Sequence, residues 1–168
     1  MQRIFLVGYM GSGKTTMGKL LAQQLGLSFL DLDAYIEGKH HRTISQIFDK
    51  EGESGFREIE KKCLHEVADF ENVVVATGGG APCFFDNMTY MNQKGITLYL
   101  KMTINQLSKR LSSSKAGVRP LIANKNKEEL YQFISEGLAK REDFYLMARH
   151  VISGSDEEII RQIKNFNP

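Results

Sequence analysis

The stretch Gly8–Thr15 constrains the fold of this chain more than any other feature of its sequence. It reads Gly-Tyr-Met-Gly-Ser-Gly-Lys-Thr and matches the phosphate-binding loop pattern G-x-x-x-x-G-K-[ST]. The apolar run Ile4–Val7 precedes it and a helical pattern follows, so we expect a strand to lead into the loop and the loop to open a helix. A plain glycine-rich turn between strand and helix is the competing interpretation.

The glycines of this loop let backbone N–H groups surround a polyphosphate. The Lys14 ammonium group can reach the outer phosphates, and the Thr15 hydroxyl can be offered to Mg²⁺. The residues expected to bind the nucleotide here are Gly11, Ser12, Gly13, Lys14, Thr15 and Thr16.

Apolar runs alternate with helical patterns along the whole chain. Candidate strands cover residues 3–7, 28–31, 73–76, 96–100 and 150–152. Candidate helices are striped by Met17–Leu25 and Phe56–Val67, and others cover 103–112, 127–148 and 156–166, the last after the capping candidate Ser155. This alternation predicts an α/β fold with a parallel sheet covered on both faces, whose ligands bind beyond the carboxyl ends of the strands.

Two carboxylates, Asp31 and Asp33, follow the second candidate strand. Their alternating spacing points both the same way if the strand extends that far. One could help to hold Mg²⁺, and the other could accept a proton from an attacking hydroxyl or orient it. Alternatively, Asp33 caps the helix that follows.

Three successive glycines, Gly78–Gly80, follow Thr77 at the end of the third candidate strand. They permit close approach of a ligand to backbone N–H donors, although a tight turn would explain them too.

Two arginines on helical patterns are candidates for binding an anion. Arg57 lies with Glu53 and Glu60 on one helix face, which is either a solvated ion-pair face or an arginine held by acidic neighbours to bind a carboxylate. Arg141 interrupts an apolar series that ends at Tyr145, so it either reaches the surface or points into a cleft.

Two stretches stand outside the alternation of strands and helices. Residues 33–60 carry short helical patterns, and residues 112–124 are rich in Ser and Gly without apolar periodicity. A loop like the second is typical of a mobile lid. Arg119 lies in it, either to close over a reacting phosphoryl group or as a solvated side chain.

Length, charge and cysteine content exclude several other classes of protein. A chain of 168 residues has the size of one domain, and a net charge of +2 without a basic stripe gives no support to nucleic-acid binding. No apolar run is long enough to cross a membrane, and the first residues do not resemble a signal peptide. Cys63 and Cys83 form no C-x-x-C pair, so a zinc or redox site has no support. Cys63 falls on an apolar stripe, and we expect it to lie in the core. For the protein as a whole we expect a reducing cytoplasm.

Taken together and in order, these motifs closely resemble the shikimate kinase family over essentially the whole chain. The segments that carry the resemblance are Gly8–Lys19, Asp31-x-Asp33, Thr43–Phe48, Gly52–Glu60, Thr77–Gly80, Arg119–Leu121 and Arg141-x-x-x-Tyr145-x-x-Ala148. The resemblance implies one domain, residues 1–168, with 33–60 as the substrate-binding subregion and 112–124 as the lid. The implied fold is a three-layer, five-stranded parallel sheet of the nucleoside-monophosphate-kinase-like type.

The resemblance also implies an activity, transfer of a phosphoryl group from Mg²⁺-bound ATP to the 3-hydroxyl of shikimate in aromatic amino-acid biosynthesis. The family suggests a monomer. The residues implied to bind shikimate are Asp33, Arg57, Gly79, Gly80 and Arg141. Lys14 and Thr15 would serve ATP and Mg²⁺, Asp31 would assist the metal, Asp33 would act as the base, Arg119 would contact the transferred phosphate and Arg110 would pack on adenine.

Three other functions are alternatives to this activity. Another small-molecule kinase, such as gluconate kinase, would not account for the set of Asp33, Arg57 and Arg141 with the glycine triplet. A GTP-dependent switch would use Asp49–Gly52 as D-x-x-G, but that match follows a helical pattern, and Asn124–Lys127 lacks the Asp of N-K-x-D. An ATP-binding module without catalysis is hard to reconcile with the presence of Asp33.

Overall fold

Five parallel strands form one sheet in the order β2-β3-β1-β4-β5. The strands are β1 (Arg3–Val7), β2 (Ser28–Asp31), β3 (Val73–Ala76), β4 (Ile96–Leu100) and β5 (His150–Ile152). All five have the predicted bounds. In β3 every residue is buried, as expected for a parallel strand that is covered on both faces. The computed structural model describes residues 1–113 and 120–168, so Arg119 and the central part of the predicted lid lie outside the described residues.

Seven α-helices flank the sheet in the described part of the chain. They are α1 (Lys14–Leu25), α2 (Leu32–His40), α3 (Ile44–Val67), α4 (Asn87–Lys94), α5 (Ile104–Ser113), α6 (Lys127–Tyr145) and α7 (Asp156–Lys164). The α4 helix was not predicted from the sequence, because it is only eight residues long and few of its side chains are buried. Among the residues that the structure describes, no helix is both long and apolar enough to cross a membrane.

The helix ends follow from local sequence. Gly26 ends α1 in the left-handed conformation, with φ of 67°, which glycine adopts without steric cost. Ser155 begins α7 with its side chain accepting from the N–H of Glu158, so its predicted role as a cap is confirmed. The α6 helix ends three residues earlier than predicted. The N–H group of Leu146 still bonds four residues back, to Glu142, but those of Met147 and Ala148 bond to carbonyls only three residues back, which tightens the chain into a turn.

A kink at Gly52 divides α3 into a short and a long part. Its φ of 70° and ψ of 179° are conformations that residues with a side chain rarely adopt. The short part and α2 account for the short helices predicted within 33–60. Because Asp49–Gly52 lies inside this helix rather than after a strand, its match to the GTPase pattern has no structural support.

The core is a single cluster of apolar side chains between the sheet and the helices. Cys63 on α3 belongs to this cluster and is buried, as predicted. The stripe of Ile134, Leu138 and Tyr145 on α6 is also buried, which confirms the apolar series that Arg141 interrupts. The core therefore fixes which face of α6 turns toward the sheet.

Candidate active site

The predicted site residues meet at the carboxyl edge of the sheet, because parallel strands end at the same edge. A cavity of about 560 Å³ lies there, beyond the ends of β1, β2 and β3. The predicted site residues that line it are Gly11, Gly13, Lys14, Thr15, Thr16, Asp31, Asp33, Gly79 and Arg110. A larger cavity of about 960 Å³ lies between α5 and α6 and contains none of the predicted site residues that the structure describes.

The phosphate loop curls around the Lys14 side chain, which is buried. Its Nζ donates to the carbonyl oxygens of Gly8 at 2.8 Å and Tyr9 at 3.0 Å. Ser12 is buried beneath the loop, and its N–H donates to the Tyr9 carbonyl at 3.2 Å. Gly13 has φ of 88° at the start of α1, so the backbone turns sharply and presents the helix N-terminus to the cavity.

Thr15 and Asp31 are joined across the cavity floor, with Thr15 Oγ1 donating to Asp31 Oδ2 at 2.9 Å. Both side chains supply oxygen atoms, the ligand type that Mg²⁺ prefers. No cluster of three or more His, Cys, Asp or Glu side chains suited to a metal occurs within the described ranges. This donor set fits an ion that takes only one or two protein ligands and completes its shell with phosphate oxygens and water.

Strand β2 does not extend to Asp33, so the alternation of side chains along a strand cannot orient both carboxylates. Strand β2 stops at Asp31 and α2 begins at Leu32, so the two carboxylates are not on one face of an extended strand. The interpretation of Asp33 as a helix cap is also wrong, because Asp31 accepts from the N–H of Ala34 at 3.1 Å and caps α2. Asp33 lies in the first turn of α2, and this turn brings its side chain into the same cavity.

The environment of Asp33 favours its protonated form more than water would. Burial raises the pKa of Asp33, the negative charge of Asp31 raises it further, and the Lys14 ammonium group opposes both effects. A Cβ at Gly78 would lie 3.0 Å from Asp33 Oδ1, so a side chain there would crowd this carboxylate. A carboxylate with a raised pKa is a stronger base for a hydroxyl proton.

Arg57 lies inside the protein rather than on a solvated face. Its side chain is 10% exposed and Nη1 contacts Oε1 of Glu60 at 2.8 Å, while Glu60 is 1% exposed. Glu53, which is 63% exposed, contacts Arg57 only at 3.8 Å. The ring of Phe84 lies 4.1 Å from the Arg57 guanidinium carbon and covers one side of the group. The alternative of a solvated ion-pair face is therefore wrong for Arg57 and Glu60.

Burial also perturbs Glu60, the partner of Arg57. It raises the pKa of Glu60 to about 7, although the Arg57 guanidinium acts in the opposite direction. Arg57 Nε is buried without a hydrogen-bond partner among the described residues. An unpaired donor of this kind is suited to an anionic ligand.

Both arginines of the site pack against the glycine triplet. A Cβ at Gly80 would lie 2.5 Å from Nη2 of Arg57, and a Cβ at Gly79 would lie 3.6 Å from Nη1 of Arg141. Both guanidinium groups therefore pack against backbone that carries no side chain. Gly80, Arg57 and Arg141 do not line the cavity beside the phosphate loop, and they lie next to it around Gly79 and Gly80.

Arg141 lies beside Tyr9 and Gly79, and Arg110 lies beside the phosphate loop. The Arg141 guanidinium carbon lies 5.5 Å from the centre of the Tyr9 ring. Arg110 Nη2 contacts Asp156 Oδ1 at 2.6 Å, and a Cβ at Gly13 would lie 3.2 Å from Arg110 Nη1. The packing of Arg110 on adenine stays a prediction, as does the contact of Arg119 with phosphate.

Sequence reasoning missed three aromatic residues that contact the site. Tyr9 and Phe84 lie against the arginines, and Tyr145 contacts the glycine triplet through its hydroxyl group. Tyr145 belongs to a segment that carries the family resemblance, but the sequence does not show that its hydroxyl contacts the glycine triplet. Tyr9 and Phe84 carry no signal beyond their closeness in sequence to the two glycine segments.

Comparison with known proteins agrees with this arrangement. The family model described as shikimate kinase matches residues 10–166. The shikimate kinase of Parabacteroides distasonis is 58% identical over 88% of this chain and 85% of its own length. The crystal structure of the Bacteroides thetaiotaomicron shikimate kinase has a TM-score of 0.91 at 46% identity, covering 97% of this chain and 94% of the other.

A second solved structure is that of the Acinetobacter baumannii shikimate kinase in complex with shikimate. It has a TM-score of 0.86 at 36% identity, and covers 98% of this chain and 89% of the other. The family match spans nearly the whole chain and includes most of the phosphate loop, the carboxylate pair, the glycine triplet and both buried arginines. The chain belongs to the shikimate kinase family.

Proposed function

We propose that this chain transfers the γ-phosphoryl group of ATP to the 3-hydroxyl of shikimate, giving 3-phosphoshikimate and ADP. The observation that carries this proposal is the packing of the glycine triplet, which lies against the phosphate loop and the Asp33 carboxylate and also against the guanidinium groups of Arg57 and Arg141. The loop suits a nucleotide, and the two arginines suit a small polyol with a carboxylate. The relative solved in complex with shikimate supports the same assignment.

On the donor side, we infer that Lys14 and the N–H groups of Gly11–Gly13 contact the phosphates of ATP, with Thr16 and Arg110 nearby. Thr15 and Asp31 would hold Mg²⁺. When bound, Mg²⁺ neutralises charge on the phosphate oxygens. The hydrogen bond between Thr15 and Asp31 keeps these two oxygen atoms close together in the cavity.

On the acceptor side, Arg57 and Arg141 are suited to bind a carboxylate through paired N–H donors. Gly79 and Gly80 offer backbone donors to the ring hydroxyls, because no side chain shields them. Asp33 lies between the two halves and is suited to accept a hydrogen bond from the hydroxyl that reacts.

The reaction follows from these positions. The 3-hydroxyl oxygen forms a bond to the γ-phosphorus while the bond from this phosphorus to the bridging oxygen of ADP breaks. The hydroxyl proton passes to the Asp33 carboxylate, whose raised pKa favours its acceptance. Most of the rate should come from positioning and from charge neutralisation, because the protein forms no covalent bond to the substrate.

The experiment is a coupled assay of ADP release with Mg²⁺ and ATP, run with shikimate, with gluconate and without acceptor. We expect release that depends on shikimate and little release in the other two reactions. Release with gluconate alone would favour the rival kinase, and release without acceptor would indicate an ATPase. The cytoplasmic location and the monomeric state stay predictions.

A further inference from the structure

We propose that Tyr145 is a positioning residue for the acceptor, because its hydroxyl group fixes the peptide between Gly79 and Gly80 beside Arg141. This role rests on the proposed function, since it concerns how the same site holds shikimate. Tyr145 lies at the end of α6 and is fully buried. Its hydroxyl donates to the carbonyl oxygen of Gly79 at 2.5 Å.

The backbone conformation of the glycine triplet must be fixed by contacts with residues outside the triplet. Glycine has more freely accessible backbone conformations than any other residue, so three in a row do not define one geometry. Within the turn, the N–H of Ala81 donates to Gly78 at 3.2 Å, and that of Cys83 donates to Gly80 at 3.0 Å. The carbonyl of Gly79 is not held by these turn bonds, and Tyr145 supplies its partner.

A restraint on the Gly79 carbonyl also orients the next N–H group. The peptide unit is planar and trans, so its C=O and N–H groups point in opposite directions. The hydroxyl of Tyr145 holds the carbonyl of Gly79 toward α6, and the N–H of Gly80 therefore points away from α6. This N–H is one of the two backbone donors that we assign to the ring hydroxyls of the acceptor.

The same hydroxyl lies beside Arg141, which is one helical turn before Tyr145 on α6. Burial raises the pKa of Tyr145 well above its ordinary value, and the interaction with Arg141 opposes this only in part. The hydroxyl therefore keeps its proton and remains a donor to Gly79 throughout the physiological pH range. One group thus contacts two of the elements expected to bind the acceptor.

Tyr99 provides a matched control for the loss of a buried hydroxyl. It is buried, and the centre of its ring lies 5.2 Å from that of Tyr145. Its hydroxyl donates to Glu142 Oε1 at 3.3 Å, on the same helix α6, and does not contact the glycine triplet. The variants Tyr145→Phe and Tyr99→Phe each remove one hydroxyl from the same aromatic pair and keep both rings, so we expect both to fold.

The test measures steady-state kinetics of the full chain with shikimate and ATP varied in turn, and calorimetry measures shikimate binding without nucleotide. We expect Tyr145→Phe to raise the KM and the dissociation constant for shikimate about tenfold, the effect of losing one buried hydrogen bond. The KM for ATP should change less than about twofold, and Tyr99→Phe should leave both substrates within about twofold.

Three outcomes would overturn the role of Tyr145. These are an unchanged shikimate KM in Tyr145→Phe, equal losses for shikimate and ATP, or the same loss in Tyr99→Phe, which would indicate a purely structural effect. Each of them requires a wild-type chain with shikimate-dependent ADP release. If the wild type itself lacked that release, the proposed function would fail first, and the role of Tyr145 would fail with it.

Discussion

The hydroxyl group of Tyr9 occupies the space that a side chain at Gly137 would need. A Cβ at position 137 would lie 2.5 Å from Tyr9 Oη and 3.1 Å from the ring carbon Cε2. Tyr9 belongs to the phosphate loop and Gly137 to α6, so this contact joins the donor loop to the helix that carries Arg141. The phosphate loop therefore packs directly on the helix that carries Arg141, one of the residues proposed to bind the acceptor.

We expect Gly137→Ala to destabilise the protein, although alanine favours helices by about 1 kcal/mol over glycine. The added methyl group would force the buried Tyr9 side chain to move, and overpacking of this kind costs about 1–3 kcal/mol. Chemical denaturation measures the change. The double variant Tyr9→Phe with Gly137→Ala should recover part of the loss, because the nearest clashing atom is removed.

Gly38→Ala is the matched control for the Gly137 variant. Gly38 lies inside α2, and no atom lies within 4 Å of a Cβ built there. This variant should be neutral or more stable, by up to about 1 kcal/mol. If both alanine variants changed stability alike, the contact between Tyr9 and Gly137 would not govern the packing.

Asp33→Asn should lower turnover by roughly 10²-fold or more if Asp33 accepts the hydroxyl proton. The asparagine side chain has nearly the same shape but cannot take up the proton. The measurement is kcat in the coupled assay, with Asp49→Asn as control for the loss of an exposed carboxylate elsewhere. Near-normal turnover in Asp33→Asn would rule out its role as the base.

Arg141→Ala and Arg110→Ala should affect different substrates. Arg141 lies beside Gly79 and the Tyr9 ring, so its loss should raise the KM for shikimate about tenfold or more. Arg110 lies over Gly13 in the phosphate loop, so its loss should raise the KM for ATP instead. Calorimetry with each substrate alone checks the division. Equal losses for both substrates in either variant would contradict it.

Glu60 should make the stability of the protein depend on pH. Its folded pKa of about 7 lies above the ordinary value of 4.5, so the folded state binds more protons than the unfolded state between these values. The contribution is fully present below pH 4.5 and is lost as the pH rises to about 7. The free energy of unfolding should therefore decrease across this window, by an amount on the order of 1–3 kcal/mol.

Denaturation at several pH values, with the variants Glu60→Gln and Glu53→Gln, isolates this contribution. The first variant removes the buried titrating group, and the curve should become flatter than that of the wild type. The second removes an exposed carboxylate and should leave the slope unchanged. A slope that persists in Glu60→Gln would assign it to another group.

Four of the five strands could be predicted from short apolar runs bounded by polar or glycine residues, and β2 from a short run that ends at Asp31. The direction of a side chain within the site was harder to predict. The spacing of Asp31 and Asp33 suggested an extended strand, but the chain forms helix α2 after Asp31. The first turn of this helix, rather than a strand, places the Asp33 side chain in the cavity. The spacing of the two carboxylates therefore did not indicate that α2 begins directly after Asp31.

The environment of Arg57 depends on segments that are distant in sequence. A helical pattern shows that Arg57 and Glu60 share a face, but Phe84 covers part of that face and comes from the turn after β3. The contact of Tyr9 with Gly137 likewise joins two segments that are far apart in the sequence. Pairings of this kind follow from the tertiary fold, and no local pattern in one sequence reveals them.

The close packing around Gly79 limits which ligands could occupy both halves of the cleft. A Cβ there would lie 3.2 Å from the backbone nitrogen of Met10 and 3.6 Å from the carbonyl oxygen of Gly8, so the loops after β1 and β3 meet backbone to backbone. In the proposed site, main-chain atoms rather than rotatable side chains would then set the span between the nucleotide and its acceptor. A bisubstrate inhibitor for this cleft would accordingly need a stiff linker of one definite length, because the protein has little freedom to adjust to a longer or shorter one.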